Sequence, residues 1–593
     1  MRCLSLFGIA ALSVAAAWCQ ETDATLRAMK DEMSRAQQLK IVNLDPSYFF
    51  EYRVEDTKSF SAAASLGALL SSAESSTRVP LIQVRVGDYN FDNTNHIYSD
   101  SYSGTRYDGN LPRDDDYRAI RQVLWLATDR EFKTAEDAIA RKRSSLKNVN
   151  VADQLPDFSK APPVEAILNV RRLPVDVNHW NDRAVKLSAV FAQYPQILAS
   201  GVEVQIAQSI NYLLNSEGTV ERTPENLATV RIQARGLAAD GTSVRDSTML
   251  VAFDAAGLPN ESEMRRQATE VAEHATALAK APVGEAYEGP VLFEAPAAAQ
   301  LFGQLLGDNL KVSRKPVSDP GRNAPYLPSE FENRLGSRIL PEWMDVIDDP
   351  SKTEWRGQTL VGHYQYDMEG VPEQTLTLVD KGLLKTFFLT RTPVVKGFQG
   401  SNGHARLAGG FGARAPGFGN LIVRASETKP SAELKKILID MCQQRNKPYG
   451  ILVRKLDFPS MASIDEFRRM LAGQSGGGHP VAQPLLVYRV YPDGREELVR
   501  SVRFRGMTTR SFRDIVAASD EQYVFNFSDS NAPLALVGAG TYTTSSSVIS
   551  PAVLFEELEL EPIQEDVSKP PIVPAPSLDL QSTASAKVNS AGL

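Results

Sequence analysis

The spacing of apolar and polar positions predicts helices and strands in alternation along most of the chain. Residues 22–39 place Leu26, Met29, Met33 and Ala36 at helical spacing behind a Thr/Asp cap. Strand patterns follow at 48–54 and 80–86, and then a pair of helices at 115–127 and 134–146. Residues 202–214, 228–235 and 244–253 read as strands, with Asp240-Gly241 as a hairpin turn, and 261–281 reads as one long helix. Past Pro282 the texture changes to short strands between Gly-rich loops. Segments 375–379 and 383–389 flank Asp380-Lys381-Gly382, and 485–491 and 497–504 flank Pro492-Asp493-Gly494, two hairpins by their turn chemistry. The pattern predicts an α+β fold of two domains, with mixed and antiparallel sheets and long helices. The N-terminal α/β domain is expected over 20–281 and a β-rich C-terminal domain over 282–562. Residues 563–593, rich in Pro, Ser and Ala, are expected to form a disordered tail.

Composition narrows the function classes. Of 593 residues, 42% are hydrophobic and 23% charged, as in an ordinary globular chain. The net charge of −8 supplies no basic field for nucleic acid, so no nucleic-acid partner is expected. At the N-terminus Arg2 precedes an apolar run over 4–17, followed by Trp18-Cys19-Gln20-Glu21. A short cationic start, a short apolar stretch and small residues before a polar segment describe a secretory signal peptide at 1–19. The run falls short of the roughly 20 residues that a spanning helix needs. The expectation is therefore an exported chain, periplasmic or extracellular, with no membrane span after signal removal. Cleavage after Ala17 and after Cys19 both fit, and the bulky Trp18 disfavours a lipoprotein anchor at Cys19. With Cys3 and Cys19 in the leader, Cys442 is left as the one thiol, in a helical pattern that suits a buried hydrophobe.

Several short patterns mimic catalytic motifs. Gly473-Gln474-Ser475-Gly476-Gly477 matches a nucleophile elbow, but a helical run precedes it and Gly478-His479-Pro480 follows. Ser144-x-x-Lys147 lies on a charged helix, and Gly409-Gly410-Phe411-Gly412 lacks the Lys-Ser/Thr of a phosphate loop. His96, His179, His274, His363, His404 and His479 are far apart, and H-E-x-x-H is absent. His404 and His479 fall in Gly-rich loops where distant ligands could gather.

The second half carries an ordered series of segments: Glu288-Gly289-Pro290-Val291-Leu292-Phe293-Glu294 before an apolar helix over 297–306, then Leu335-Gly336-Ser337-Arg338-Ile339-Leu340-Pro341. Tyr366-Asp367-Met368-Glu369-Gly370-Val371-Pro372, Gly419-Asn420-Leu421-Ile422-Val423 and Ser550-Pro551-Ala552-Val553-Leu554-Phe555 follow. This order resembles the TldD/PmbA (TldD/TldE) metallopeptidase family over about 282–562. The resemblance implies a helix that, in the catalytic subunit, carries H-E-x-x-x-H and binds zinc together with a downstream cysteine. At the matching positions this chain has Gly303, Gln304 and Asp308, no cysteine follows Cys442, and the closing region reads Val537-Gly538-Ala539-Gly540. Glycine offers no ligand and glutamine is no general base. In lacking the motif the chain is similar to the non-catalytic PmbA/TldE type, which pairs with a catalytic TldD.

Taken with the expected leader, which implies export, the resemblance implies a non-catalytic subunit of a metallopeptidase assembly that binds or processes unfolded peptides. A TldD-like catalytic subunit, or self-association, would complete it. No cofactor is expected here, with zinc in the partner. The alternatives are an active zinc metallopeptidase using non-standard ligands among His404, His479 and Asp308, or a stand-alone envelope peptide-binding protein. Export has a direct check. Mass analysis of the native N-terminus should find Trp18 or Gln20 first, and an intact Met1 on cytoplasmic protein refutes it.

Overall fold

Asp23 starts the first helix. Its carboxylate accepts the Leu26 N–H at 2.9 Å, and helix α1 (Ala24–Ala36) buries Leu26, Met29, Met33 and Ala36, as the spacing predicts. The computed structural model describes residues 23–38, 45–97, 106–107, 110–147, 155–318, 328–398, 400–408, 414–458, 481–530 and 543–563. The expected leader and C-terminal tail lie outside these residues.

Two strands much longer than their apolar runs come next. β1 (Ser47–Ser65) and β2 (Ala68–Val86) form one antiparallel ribbon turned by Leu66 and Gly67, both at positive φ. The polar stretch between the predicted cores is strand because backbone pairing does not require apolar side chains. Its hydroxyls pair across strands instead, Ser59 with Ser75 at 2.7 Å and Thr57 with Ser209 at 2.6 Å. The predicted helix pair is a single helix, α2 (Tyr117–Leu146). The apparent break between its apolar stretches contains Thr128, which is buried and hydrogen-bonded to Leu124 O and Tyr52 rather than exposed in a turn. No Gly or Pro interrupts it, and Asp129–Lys133 and Asp137–Arg141 support it at i,i+4.

Helix α3 (Val177–Ser188), β3 (Ile197–Asn215), β4 (Val220–Leu237), β5 (Ser243–Ala252) and α4 (Glu261–Lys280) complete this half. The seven-stranded sheet runs 106–107, β2, β1, β3, β4, then Glu165–Ile167, with β5 also on β4. Phe50, Tyr52, Val54 and Phe60, Ala62, Ala64 of β1 face the helices: α1 and α2 cover one end, α3 and α4 the other. The alternate positions Glu51 and Arg53 face away from the helices, yet both are buried.

What buries them is the second half. An eleven-stranded sheet runs β9 (Leu383–Leu384), β8 (Leu376–Asp380), β7 (Met344–Asp348), β10 (Asn420–Ala425), β16 (Thr543–Pro562), β6 (Tyr287–Phe293), β11 (Gly450–Leu456), β12 (Pro484–Val490) and β13 (Glu496–Val499). β14 (Val502–Arg505) and β15 (Ile515–Ser530) also pair with β16. The predicted strand 497–504 is therefore two strands. Ser501, at φ 56°, breaks it, so that β13 pairs with β12 and β14 with β16. The core gathers Phe293, Phe302, Phe387, Phe388, Phe512 and Phe555 around the helix that follows β6. Among the described residues no helix is long and apolar enough to cross a membrane.

Charge pairs fasten the two halves. The carboxylate of Asp246, on β5, is fully enclosed and accepts from Lys455 Nζ of β11 at 2.5 Å and faces His274 Nδ1 at 2.8 Å. Burial pushes this carboxyl up, but Lys455 and His274 outweigh it and hold it below the usual range. Such a group stabilises the fold above its unfolded value, and the contribution is lost as pH falls through the folded one. Asp246→Ala strands Lys455 in the seam, so chemical denaturation at neutral pH should show a loss of about 3–5 kcal/mol. The deficit should begin to shrink as pH falls below about 4, where the unfolded carboxyl takes up its proton, and close only once the folded one does too.

Candidate functional site

The helix after β6 holds the positions where the sequence resemblance implied chemistry. Its first turns are α5 (Ala295–Leu301), with Pro296 in the opening turn where no N–H is needed. From Phe302 to Gly307 the helix widens into a π-helical turn, and Asp308–Leu310 returns to α. The predicted helix 297–306 is thus longer and locally irregular. The π segment covers both Gly303 and Gln304, a local widening that recurs at functional positions.

Each side chain there is committed to packing or to the backbone. Gly303 abuts β16, where a Cβ would lie 3.2 Å from Val548 Cγ2. Gly307 lies under the Phe418 ring, and a Cβ would come within 2.6 Å of Phe418 Cε1. Gln304, 3% exposed, accepts the Ala482 N–H through Oε1 at 2.6 Å. One turn earlier Gln300 accepts the Leu456 N–H at 2.7 Å. The two glutamines therefore hold the chain where β11 ends and where it re-enters before β12. Asp308 pairs with Lys311 Nζ at 2.9 Å, and that ammonium also lies 5.0 Å over the Phe418 ring. Phe458, Phe525, Phe527 and Phe418 meet edge-on or stacked beside this face, with centroids 4.9–6.0 Å apart.

Zinc needs three or four nitrogen, sulfur or oxygen ligands converging at about 2.0–2.3 Å. The helix does not supply them: Gly303 has no donor, the Gln304 oxygen is taken, and Asp308 is paired. Among the described residues no group of three or more His, Cys, Asp or Glu could hold a metal ion. The described residues of this helix do not fit a zinc ion.

His404 takes a structural place. It is fully buried, with Nδ1 2.8 Å from Asn402 O and Nε2 2.9 Å from Asp348 Oδ2, and Phe388 stacks on it at 5.1 Å. A carbonyl oxygen only accepts, so the network assigns the Nδ1 proton to the hydrogen bond with Asn402. Both ring nitrogens are engaged inside the protein. His479 and the glycine motifs at 409–412 and 473–478 lie outside the described residues. Cys442 lies buried on α6 (Ser431–Gln444), and burial pushes its thiol up, away from the reactive thiolate. Ser144 and Lys147 close the C-terminal turn of α2, where Lys147 N–H donates to Ser144 O.

The sequence reading did not find the glutamine clamp. A Gln-x-x-x-Gln pair on an apolar helix carries no metal signature, and only the neighbouring strand ends give it a role. Gly307→Ala probes the packing. Pushing a methyl into the Phe418 ring should cost about 1–3 kcal/mol in a denaturation curve.

Comparisons with known proteins agree with this architecture. Residues 286–460 match the family model described as the PmbA/TldA metallopeptidase C-terminal domain. A stretch of 100 residues is 33% identical to "Metalloprotease MJ0996" of Methanocaldococcus jannaschii, covering 17% of this chain and 19% of that relative. The match thus spans about one fifth of the relative's length. The fold is similar to crystallised TldE from Thermococcus kodakarensis, with TM-score 0.55 and 15% identity over 90% of this chain and 99% of that one. It is also similar to a putative modulator of a DNA gyrase from Thermotoga maritima, TM-score 0.52 and 15% identity over 86% and 96% of the chains. A protein of the same description from Bacteroides thetaiotaomicron gives 0.52 and 12% over 91% and 98%. The ordered segments of the second half, the α+β fold around the helix at 295–310 and the matched C-terminal domain all agree in their similarity to the TldD/PmbA family.

Proposed function

We propose that this chain is an exported, non-catalytic member of a metallopeptidase assembly, and that it binds unfolded peptides for a zinc-bearing partner. The observation that carries the reading is the Gln304 side chain. At the position of the family's general base it holds the Ala482 N–H at 2.6 Å, and the glycines beside it are closed over by Val548 and Phe418. Peptide hydrolysis of this type needs a metal-activated water and a base. This helix offers a neutral amide and packed apolar surface. An extended substrate would instead be held through main-chain hydrogen bonds, as an added strand.

The purified mature chain should hold no stoichiometric zinc by elemental analysis after dialysis. Installing Gly303→His, Gln304→Glu and Asp308→His together should still not create a zinc site, because the third ligand is missing and Val548 stands against the first of these positions. Incubated with a disordered peptide, the chain alone should not cleave. Chelator-sensitive cleavage should appear when a co-purifying TldD-like subunit is added. Cleavage by the chain alone overturns the proposal and supports an active peptidase with other ligands. Peptide binding without cleavage in either case supports a stand-alone binding protein.

A further inference from the structure

The face of the first sheet turned away from its helices carries charges that the second half covers. Arg53 on β1, Leu213 on β3 and Glu221 on β4 stand in one row across three strands, by the register Arg53 to Leu213 and Leu213 to Glu221. On this row sits a tight turn of the second half, Asp367-Met368-Glu369-Gly370-Val371. Asp367 organises it, accepting Glu369 N–H at 2.8 Å and Val371 N–H at 3.0 Å through Oδ1, and Ala405 N–H at 3.0 Å through Oδ2. Gly370 is at φ +72°, and its backbone lies flat on the sheet. A Cβ there would meet Thr219 Cγ2 at 2.8 Å, Glu221 Oε1 at 2.9 Å and Leu213 Cδ2 at 3.1 Å.

Glu221 is 4% exposed, and its Oε1 has no hydrogen-bond partner. Two strands away, Arg53 is also buried, with Nη1 unpartnered. An ionised carboxylate and a guanidinium left unpaired this close would both bear an uncompensated desolvation cost. A protonated Glu221 removes the carboxylate's share of that cost, because a neutral acid can lie under the apolar edge of the Gly370 turn.

We propose that this contact is a proton-held latch: Glu221 seats the Gly370 turn while protonated and releases it when ionised, turning its carboxylate to Arg53. The charged groups around it run the same way. Glu51 on β1 is bound to Arg414 at 2.7 Å, so Arg414 is engaged with another acid. Glu369 accepts from the Arg391 N–H at 2.7 Å, while the Arg391 guanidinium bonds Glu217 and the Ser159 carbonyl. His404 is held by Asp348 and lies behind Asp367. Of the two guanidinium Nη1 atoms here without a partner, those of Arg53 and Arg391, it is Arg53 that shares the row of Glu221. Burial, then the Asp367 charge, pushes Glu221 up to about 8, and burial with Asp367 pushes Glu369 to about 7. Because the folded value lies above the ordinary glutamate range, the latch is at full strength at low pH and weakens as pH rises through about 8.

Hydrogen exchange on the full chain, corrected for intrinsic rates, tests the proposal at residues 367–371 and 213–221. Between about pH 7 and 8, above the Glu369 value, opening of this segment should become about tenfold easier, the linkage expected for one proton. Glu221→Gln, a neutral mimic of the protonated acid, should abolish that slope and keep the segment protected at the higher pH. Where the glutamine variant fails to fold, Glu221→Met serves the same comparison. The control is Asp240→Asn, at an exposed carboxylate paired with Arg500, which should keep the wild-type slope. Wild-type protection that does not change with pH overturns the latch, and so does a slope that the Glu221 variants share.

Discussion

Two sheets, each with one face to spare, meet in this protein along a surface that is charged rather than apolar, and each charge left without a partner there carries a desolvation cost once water leaves. Arg391 shows the solution. It is fully buried, with its guanidinium 4.1 Å over Phe158, bonded to Glu217 at 2.8 Å and to the Ser159 carbonyl. Its own backbone N–H caps Glu369, and its carbonyl accepts the Ser159 N–H. One residue, through its side chain and backbone, therefore ties a loop of the first half, a turn of β3–β4 and the Asp367 turn of the second half together. Arg85 repeats the device on the other side of the same ring, 3.7 Å over Phe158 and bound to Asp92 at 2.7 Å. Removing one member of such a buried set costs more than the set contributes, because the remainder stays charged and dry.

That constraint explains why the helix at 295–310 is so fixed. β6 and β11 run parallel in the second sheet, and the helix crosses between them and the aromatic wall. Its glutamines bond the strand end at Leu456 and the re-entry at Ala482. Asp457, next to Leu456, is in turn ion-paired with Arg245 of β5. The helix, the end of β11 and the first sheet therefore form one connected body through Asp457, Lys455 and Asp246. Changes at Gln300 or Gln304 would be felt in the contact between the halves, not only locally.

How much of this was legible depended on the kind of signal each residue carries. Helices with caps and a clear apolar stripe, such as Ala24–Ala36 and Glu261–Lys280, were readable to within a few residues. Turn chemistry did the same for the hairpins at Asp240-Gly241 and Asp380-Lys381-Gly382, where Gly241 and Gly382 take positive φ. The full length of β1 and β2 was not readable, because Ser, Thr, Asp and Lys in a paired ribbon look like loop. The unity of α2 was hidden because a buried Thr128 and a buried Glu131 look like a surface break until Tyr52 is seen against the former.

The sequence by itself determined the α+β class and the family resemblance of the second half, and it puts at Gly303 and Gln304 side chains that offer neither a carboxylate nor an imidazole. These are local facts: periodicity, turn residues and the presence or absence of a functional group at one position. Only the tertiary structure decided what those positions do. Gln304 acquires its role from Ala482, Gly307 from Phe418, and Glu221 from a turn some 150 positions away, at Gly370. Burial and pairing are properties of neighbours in space, and the chain order of this protein says little about which charged residues its two halves bring together in the dark between them.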